Sequence, residues 1–124
     1  MDGHCFHCSV IINKEEKLIK MIESGTDGLI RIWNFHSGLL LKKISVSRQW
    51  LYGICLWNNQ YLLAGCTDKK IKLIDLKNGK FLKDFDGHNN IVLTIKKINH
   101  PKYGTCLLSQ GFKNEHIKLW ININ

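Results

Sequence analysis

The stretch SGTDGLIRIWN, Ser24 to Asn34, decides the fold, because the chain writes it again as AGCTDKKIKLID, Ala64 to Asp75, and as SQGFKNEHIKLWI, Ser109 to Ile121. In each copy an acidic or amide residue, Asp27, Asp68 or Asn114, stands six positions before a large apolar one, Trp33, Ile74 or Trp120. Apolar residues alternate between them. The unit recurs after 41 residues (74 − 33) and then after 46 (120 − 74). A period of that length means one small supersecondary unit stacked against copies of itself.

Around the repeat, short segments rich in Ile, Val, Leu, Trp and Tyr lie between turn signals and are too brief for helices, so they read as strands. Eleven are expected: 8–12, 17–24, 28–34 and 39–45 in the first unit, 51–57, 60–66, 70–76 and 80–85 in the second, and 91–98, 105–110 and 116–121 in the third. His36-Ser37-Gly38, Asn58-Asn59, Lys77-Asn78-Gly79 and Pro101 to Gly104 supply tight connections, where Asn and Gly tolerate positive φ. The chain is therefore expected to be all-β and a single domain, 1–124. Its units, about 3–45, 46–86 and 87–124, are four-stranded antiparallel meanders, the third lacking its outermost strand. Ile30 and Ile32, Ile71 and Leu73, and Ile117 and Leu119 fall on one face of the third strands. Arg31, Lys72 and Lys118 fall on the other beside Trp33, Ile74 and Trp120. Large apolar groups on both faces imply sheets covered on both sides, as when they stack radially. The three basic residues read as solvated or between-unit positions.

Composition narrows the class. The 124 residues are 44% apolar, enough for a core, with one Pro and no low-complexity stretch. The net charge of +8 would suit a nucleic-acid partner, but 16 of the 18 basic residues are Lys scattered along the chain, so nucleic-acid binding is kept as the alternative function. No apolar run approaches the roughly 18 residues of a membrane span, and the start MDGHCFHC lacks a secretory pattern. An intracellular protein, cytoplasmic or nuclear and without a membrane partner, is expected. Five cysteines are an odd number, and Cys55, Cys66 and Cys106 sit in strand-like runs, which fits a reducing compartment. Cys5-x-x-Cys8 lacks a second Cys or His pair at zinc-finger distance, so no metal is expected, and Cys8 aligns with Leu51 and Val92 as a core position. No nucleophile elbow, paired acid and base or phosphate loop is present, so neither an enzyme nor a cofactor is expected.

Two further dipeptides complete the pattern. Gly3-His4 opens the first unit and Gly87-His88 the third, each after an Asp, while Trp33-Asn34, Ile74-Asp75 and Trp120-Ile121 close the third strands. With these the chain resembles the WD-repeat β-propeller family over nearly all its length. The resemblance implies a partial β-propeller of three antiparallel blades. It also implies a buried hydrogen-bonded chain of His, second-strand Ser, turn acid and Trp: His4, Ser24, Asp27 and Trp33 in blade one, and His88, Ser109, Asn114 and Trp120 in blade three. Asn114 in place of an acid would weaken the link to His88. Blade two departs from the pattern, with Ser47, Ala64 and Ile74 at the His, Ser and Trp positions. Asp68 is left alone to accept from the N–H groups of its own turn. The His-Ser-Asp trio of blade one, whose positions recur in blade three as His-Ser-Asn, is scaffold rather than a catalytic triad.

Between the opening dipeptide and the innermost strand lie Cys5-Phe6-His7, Arg48-Gln49-Trp50 and Asn89-Asn90-Ile91, expected as loop tips on one face around a central opening. Exposed aromatic and Arg groups on loops held by a rigid scaffold are the material of binding hot spots. Phe6, His7, Arg48, Gln49, Trp50, Tyr52, Asn89 and Asn90 are the candidate contacts. Trp50 leads them, unless it packs under the neighbouring blade. The expected function is a non-catalytic scaffold for proteins or peptides. Propellers run to four to eight blades, so three belong to a larger or oligomeric ring completed by further blades or identical chains.

Overall fold

In a computed structural model of the chain, the structure describes residues 5–13, 18–113 and 117–121, and the side chains among them from residue 19 onward. Eleven strands form in chain order: β1 Cys5–Asn13, β2 Leu18–Gly25, β3 Leu29–Asn34, β4 Leu40–Ser45, β5 Leu51–Leu56, β6 Tyr61–Cys66, β7 Ile71–Asp75, β8 Lys80–Phe85, β9 Val92–His100, β10 Gly104–Gly111 and β11 Lys118–Trp120. They pair antiparallel into three separate sheets, β1-β2-β3-β4, β5-β6-β7-β8 and β9-β10-β11. These are three blades of a propeller, the third with three strands among the described residues.

The middle blade shows why the sheets stack. Successive strand side chains point to opposite faces, and in β6 both faces are buried. Leu62, Ala64 and Cys66 join Ile22, Ile30, Ile32, Ile44 and Val46 of blade one in one apolar cluster. Leu63, with Ile71, joins Val92, Ile95 and Leu107 of blade three in another. Each fully buried Ile or Leu contributes about 1.5–3 kcal/mol relative to exposure, so the two interfaces dominate the stability of the array. Polar ties cross the same interfaces. Ser24 Oγ donates to Tyr52 O at 2.6 Å, Lys42 Nζ to Leu76 O at 3.2 Å and Lys97 Nζ to Trp57 O at 2.6 Å.

Pairing register corrects the sequence alignment in blade one. Trp120 pairs with Leu107, Ile74 with Leu62 and Trp33 with Met21. Counting from those pairs, the residue matching Ser109 and Ala64 is Glu23, not Ser24. A one-residue slip flips a strand side chain to the other face, so Ser24 points to blade two. The β1 start moves as well. Cys5 stands opposite Gly25 as Leu51 stands opposite Cys66 and Val92 opposite Gly111, so Cys5 and not Cys8 takes the Leu51 position. Phe6 and His7, expected on a loop tip, lie within β1, where the pairing register shifts between Cys5 and His7. A bulge at the same place in β5 and β9 marks this shift as a feature of the repeat.

The tip of the β2–β3 hairpin is joined to the next blade through Gly28. Its carbonyl accepts from Val46 and Ser47 N–H at 3.1 and 3.2 Å. Gly28 has φ +75°, and a Cβ there would sit 1.9 Å from Ser47 O. Gly38 has nearly the same backbone, φ +71°, but faces open space. Gly38→Ala is thus expected to cost about 1–2 kcal/mol from the left-handed backbone alone. Gly28→Ala adds displacement of the β4–β5 connection and should cost about 3 kcal/mol. Urea unfolding of the two variants measures the difference, and equal losses would mean that Gly28 is not seated on Ser47.

Candidate interaction rim at the hairpin tips

Strand alternation brings five connections to one end of the stack: β2–β3, β6–β7 and β10–β11 within blades, and β4–β5 and β8–β9 between them. Arg48, Gln49 and Trp50 lie on the β4–β5 connection and are exposed, Trp50 by 49%. About half of the Trp50 surface is thus open to a partner. Its backbone is clasped from both sides, since Trp50 N donates to Thr67 Oγ1 at 3.2 Å and Trp50 O accepts from Thr67 N at 3.0 Å. Gln49 Oε1 accepts from Thr67 Oγ1 at 3.0 Å, and Ser47 Oγ accepts from Gln49 N at 3.0 Å. The loop is therefore ordered before any partner arrives.

Blade three repeats the device. Phe112 N donates to Ile91 O at 2.8 Å, as Thr67 N does to Trp50 O, and Phe112 is 42% exposed. Sequence reasoning missed Phe112. Its signal is positional: the residue after the second strand is Thr26, Thr67 or Phe112, and only the third is aromatic. Asn90 turns its Oδ1 to Ile91 N at 2.8 Å and shapes the loop, whereas Asn89 is exposed. Tyr52 is half-buried in β5 below the rim. The blades meet closely here, because a Cβ on Gly65, one residue before Cys66, would lie 2.4 Å from Val92 O. Arg48 to Trp50, the Thr67 turn, Ile91 and Phe112 thus form one continuous rim.

Beneath the rim the two fully described hairpins each carry a buried ion pair, so of the two readings of Arg31 and Lys72, solvated or between units, the solvated one does not hold. Both are 5% exposed. Arg31 makes a two-pronged contact with the Asp27 carboxylate, which also accepts from Leu29 N at 3.2 Å. Lys72 Nζ lies 2.5 Å from Asp68 Oδ2 and 2.6 Å from Asp84 Oδ1. Asp68 accepts from Lys70 N at 3.1 Å, the turn N–H expected of it, and Lys72 is the further partner that was not expected. Lys118 is half-buried. The Arg31 guanidinium holds the Asp27 carboxyl below the usual carboxylate range, against the opposing effect of partial burial. Burial pushes Asp68 up, but the bond from Lys72 and its neighbours outweigh it and leave the carboxyl lowered. Burial likewise pulls Lys72 down, and Asp68 and Asp84 together hold it above the ordinary lysine value.

The hydrogen-bonded chains implied by the family resemblance take a different form in each blade. In blade three His88 Nε2 and Trp120 Nε1 converge on Ser109 Oγ at 2.5 and 2.7 Å. Ser109 is 2% exposed, so its hydroxyl is enclosed between the two rings it bonds. Asn114 lies outside the described residues. Gly87 lies against the Trp120 ring, where a Cβ would come within 2.8 Å. In blade one Asp27 pairs with Arg31, and Trp33 Nε1 donates to Glu23 Oε1 at 3.1 Å, not to Ser24. The correction follows from the register above. His4 lies outside the described residues, as do the side chains of Phe6 and His7. Among the described residues no group of three or more His, Cys, Asp and Glu could hold a metal ion, and no helix is long and apolar enough to cross a membrane.

No family model matches the chain. The "WD repeat domain-containing protein 83 homolog" of Dictyostelium discoideum is 27% identical over 89 residues, covering 65% of this chain and 25% of that protein. The "U3 small nucleolar RNA-associated protein 21 homolog" of Schizosaccharomyces pombe is 23% identical over 70 residues, covering 56% and 8%. The chain thus spans a quarter or less of the length of these curated relatives. Among solved structures, the WD40 β-propeller domain of Doa1 superposes with a TM-score of 0.80 at 19% identity, covering 99% of this chain and 38% of that one.

The buried pairs set an acid limit to stability. The carboxyls of Asp27 and Asp68 have folded values below their ordinary 3.8, so their contribution is complete above about pH 4 and is lost as pH falls through the folded values. Unfolding midpoints should be flat from neutral pH down to about 5 and fall steeply below 4. Asp27→Ala, which strands Arg31, should cost about 2 kcal/mol or more at neutral pH. It should also flatten part of the acid limb in denaturant titrations.

Proposed function

From a chain that is WD-repeat in fold and fits that family in sequence, we infer a non-catalytic scaffold that binds protein or peptide segments on the rim. The observation that carries this reading is Trp50, half-exposed on a loop pinned through both its backbone groups to Thr67. A large aromatic on a preorganised backbone loses little entropy when it is covered, which is the character of a binding hot spot. Phe112 stands at the matching place one blade on. Arg48 borders Trp50 and adds a charged, directional contact.

The three blades serve as part of a larger ring. Blade three turns outward Leu108, Ile117 and Leu119 at the register positions of Leu63, Ile71 and Leu73, the residues blade two buries against blade three. A further blade, from the same protein or an identical chain, covers that face. Free Cys55, Cys66 and Cys106 support a reducing location, and a relative named for a small nucleolar RNA supports the nucleus as one such place.

Selection of a displayed peptide library on the full chain tests the reading. Selected peptides should bind Trp50→Ala and Phe112→Ala about tenfold or more weaker, a loss of about 1.4 kcal/mol, while both variants melt as the parent does. Peptides that bind both variants undiminished would place the site elsewhere.

A further inference from the structure

The rim carries an unusual backbone. Among the described residues only two non-glycine positions have positive φ, Lys69 at 74° and Lys113 at 51°, and both are at hairpin tips beside the exposed aromatics. Lys69 occupies the place that Gly28 holds in blade one. Gly28 N donates to Gly25 O and Lys69 N to Cys66 O, each at 3.2 Å, so the turn is the same. Glycine adopts that conformation without steric penalty and lysine does not. A side chain kept at a position whose backbone favours its absence points to a use for that side chain.

The charges around it are unevenly satisfied. Asp27 is held by Arg31, Asp68 and Asp84 by Lys72, and Asp86 lies 3.8 Å from Lys70 Nζ. Every described carboxylate at this end is thus engaged by another cation. Arg48, Lys69 and Lys113 are exposed and make no ion pair among the described residues. Lys113 Nζ instead rests over the Phe112 ring, 5.6 Å from its centroid. Three cations without an ion-pair partner among the described residues therefore flank two exposed aromatics along this edge.

We propose that the rim binds an acidic peptide segment, its carboxylates paired with Arg48, Lys69 and Lys113 and an apolar side chain seated between Trp50 and Phe112. The inference rests on the scaffold reading and adds the partner's charge. A peptide fits better than a nucleic acid because the exposed Asp86 interrupts the positive track. A carboxylate-bearing segment can place a neutral residue there, whereas a phosphate backbone brings charge at every step.

The probe is a fluorescently labelled peptide in which Asp and Glu alternate with Leu and Phe, read by anisotropy on the full chain. Two comparisons accompany it: the same peptide with Asn and Gln for the acids, and a single-stranded oligouridylate. The acidic peptide should bind about tenfold or more tighter than its amide counterpart at low salt and lose that margin as salt rises. Lys69→Gly separates function from structure. It should hold or raise the melting temperature, by relieving the backbone, yet weaken the acidic peptide severalfold, and Lys113→Gly should do the same. Equal binding of acidic and amide peptides, tighter binding of the oligouridylate, or a Lys69→Gly chain that binds undiminished would overturn the proposal. Failure of the scaffold reading looks different: the displayed library then yields no peptide that depends on Trp50.

Discussion

Burial of both faces of the middle sheet is the constraint on which everything else depends. A four-stranded antiparallel meander with Leu62 and Ala64 on one side and Leu63 and Ile71 on the other has no wet face to offer. It is stable only between two others. That requirement sets the blade spacing, and the spacing brings Gly28 against Ser47 and Gly65 against Val92. Those close approaches in turn align the connections that carry Trp50 and Phe112. The rim is a by-product of core packing that evolution is free to decorate.

The architecture was legible because it depends on periodicity alone. Three copies of one pattern and the alternation of apolar residues suffice to give strands, sheets and stacking, and chemical detail does not disturb them. The polar partners were harder to read, since they depend on register to a single residue. Ser24 looked like the counterpart of Ser109 because both precede a Gly-containing turn, but the tip of the third hairpin is one residue longer than in the other two. Counting back from Trp33 along the paired strands reaches Glu23, which accepts the indole N–H instead. The carboxylate of Asp27 is also held by Arg31, a partner the repeat pattern does not name, through a two-pronged guanidinium contact that satisfies both oxygens at once.

Several of the lysines that look scattered along the chain have specific places. Lys42 caps carbonyls of the β7–β8 turn from the neighbouring blade, Lys97 spans from blade three to Trp57, and Lys72 is enclosed between two carboxylates beneath the Phe81 ring. A long flexible stem with a point charge reaches across a blade boundary where a shorter cation would not. Charge counted along the chain hides this distinction. Placed on the structure, it separates lysines that join blades from those left standing at the rim.

The matched faces of blades two and three also bear on how such a chain can change length. Leu108, Ile117 and Leu119 repeat the contact surface of Leu63, Ile71 and Leu73, so the groups that receive one blade are regenerated by the blade received. Duplication of a unit then needs no new interface to be invented, and a tandem copy inherits its seat along with its strands. Diversity can accumulate at the tips while the array grows by addition, and the number of modules becomes a variable separate from what any one of them binds.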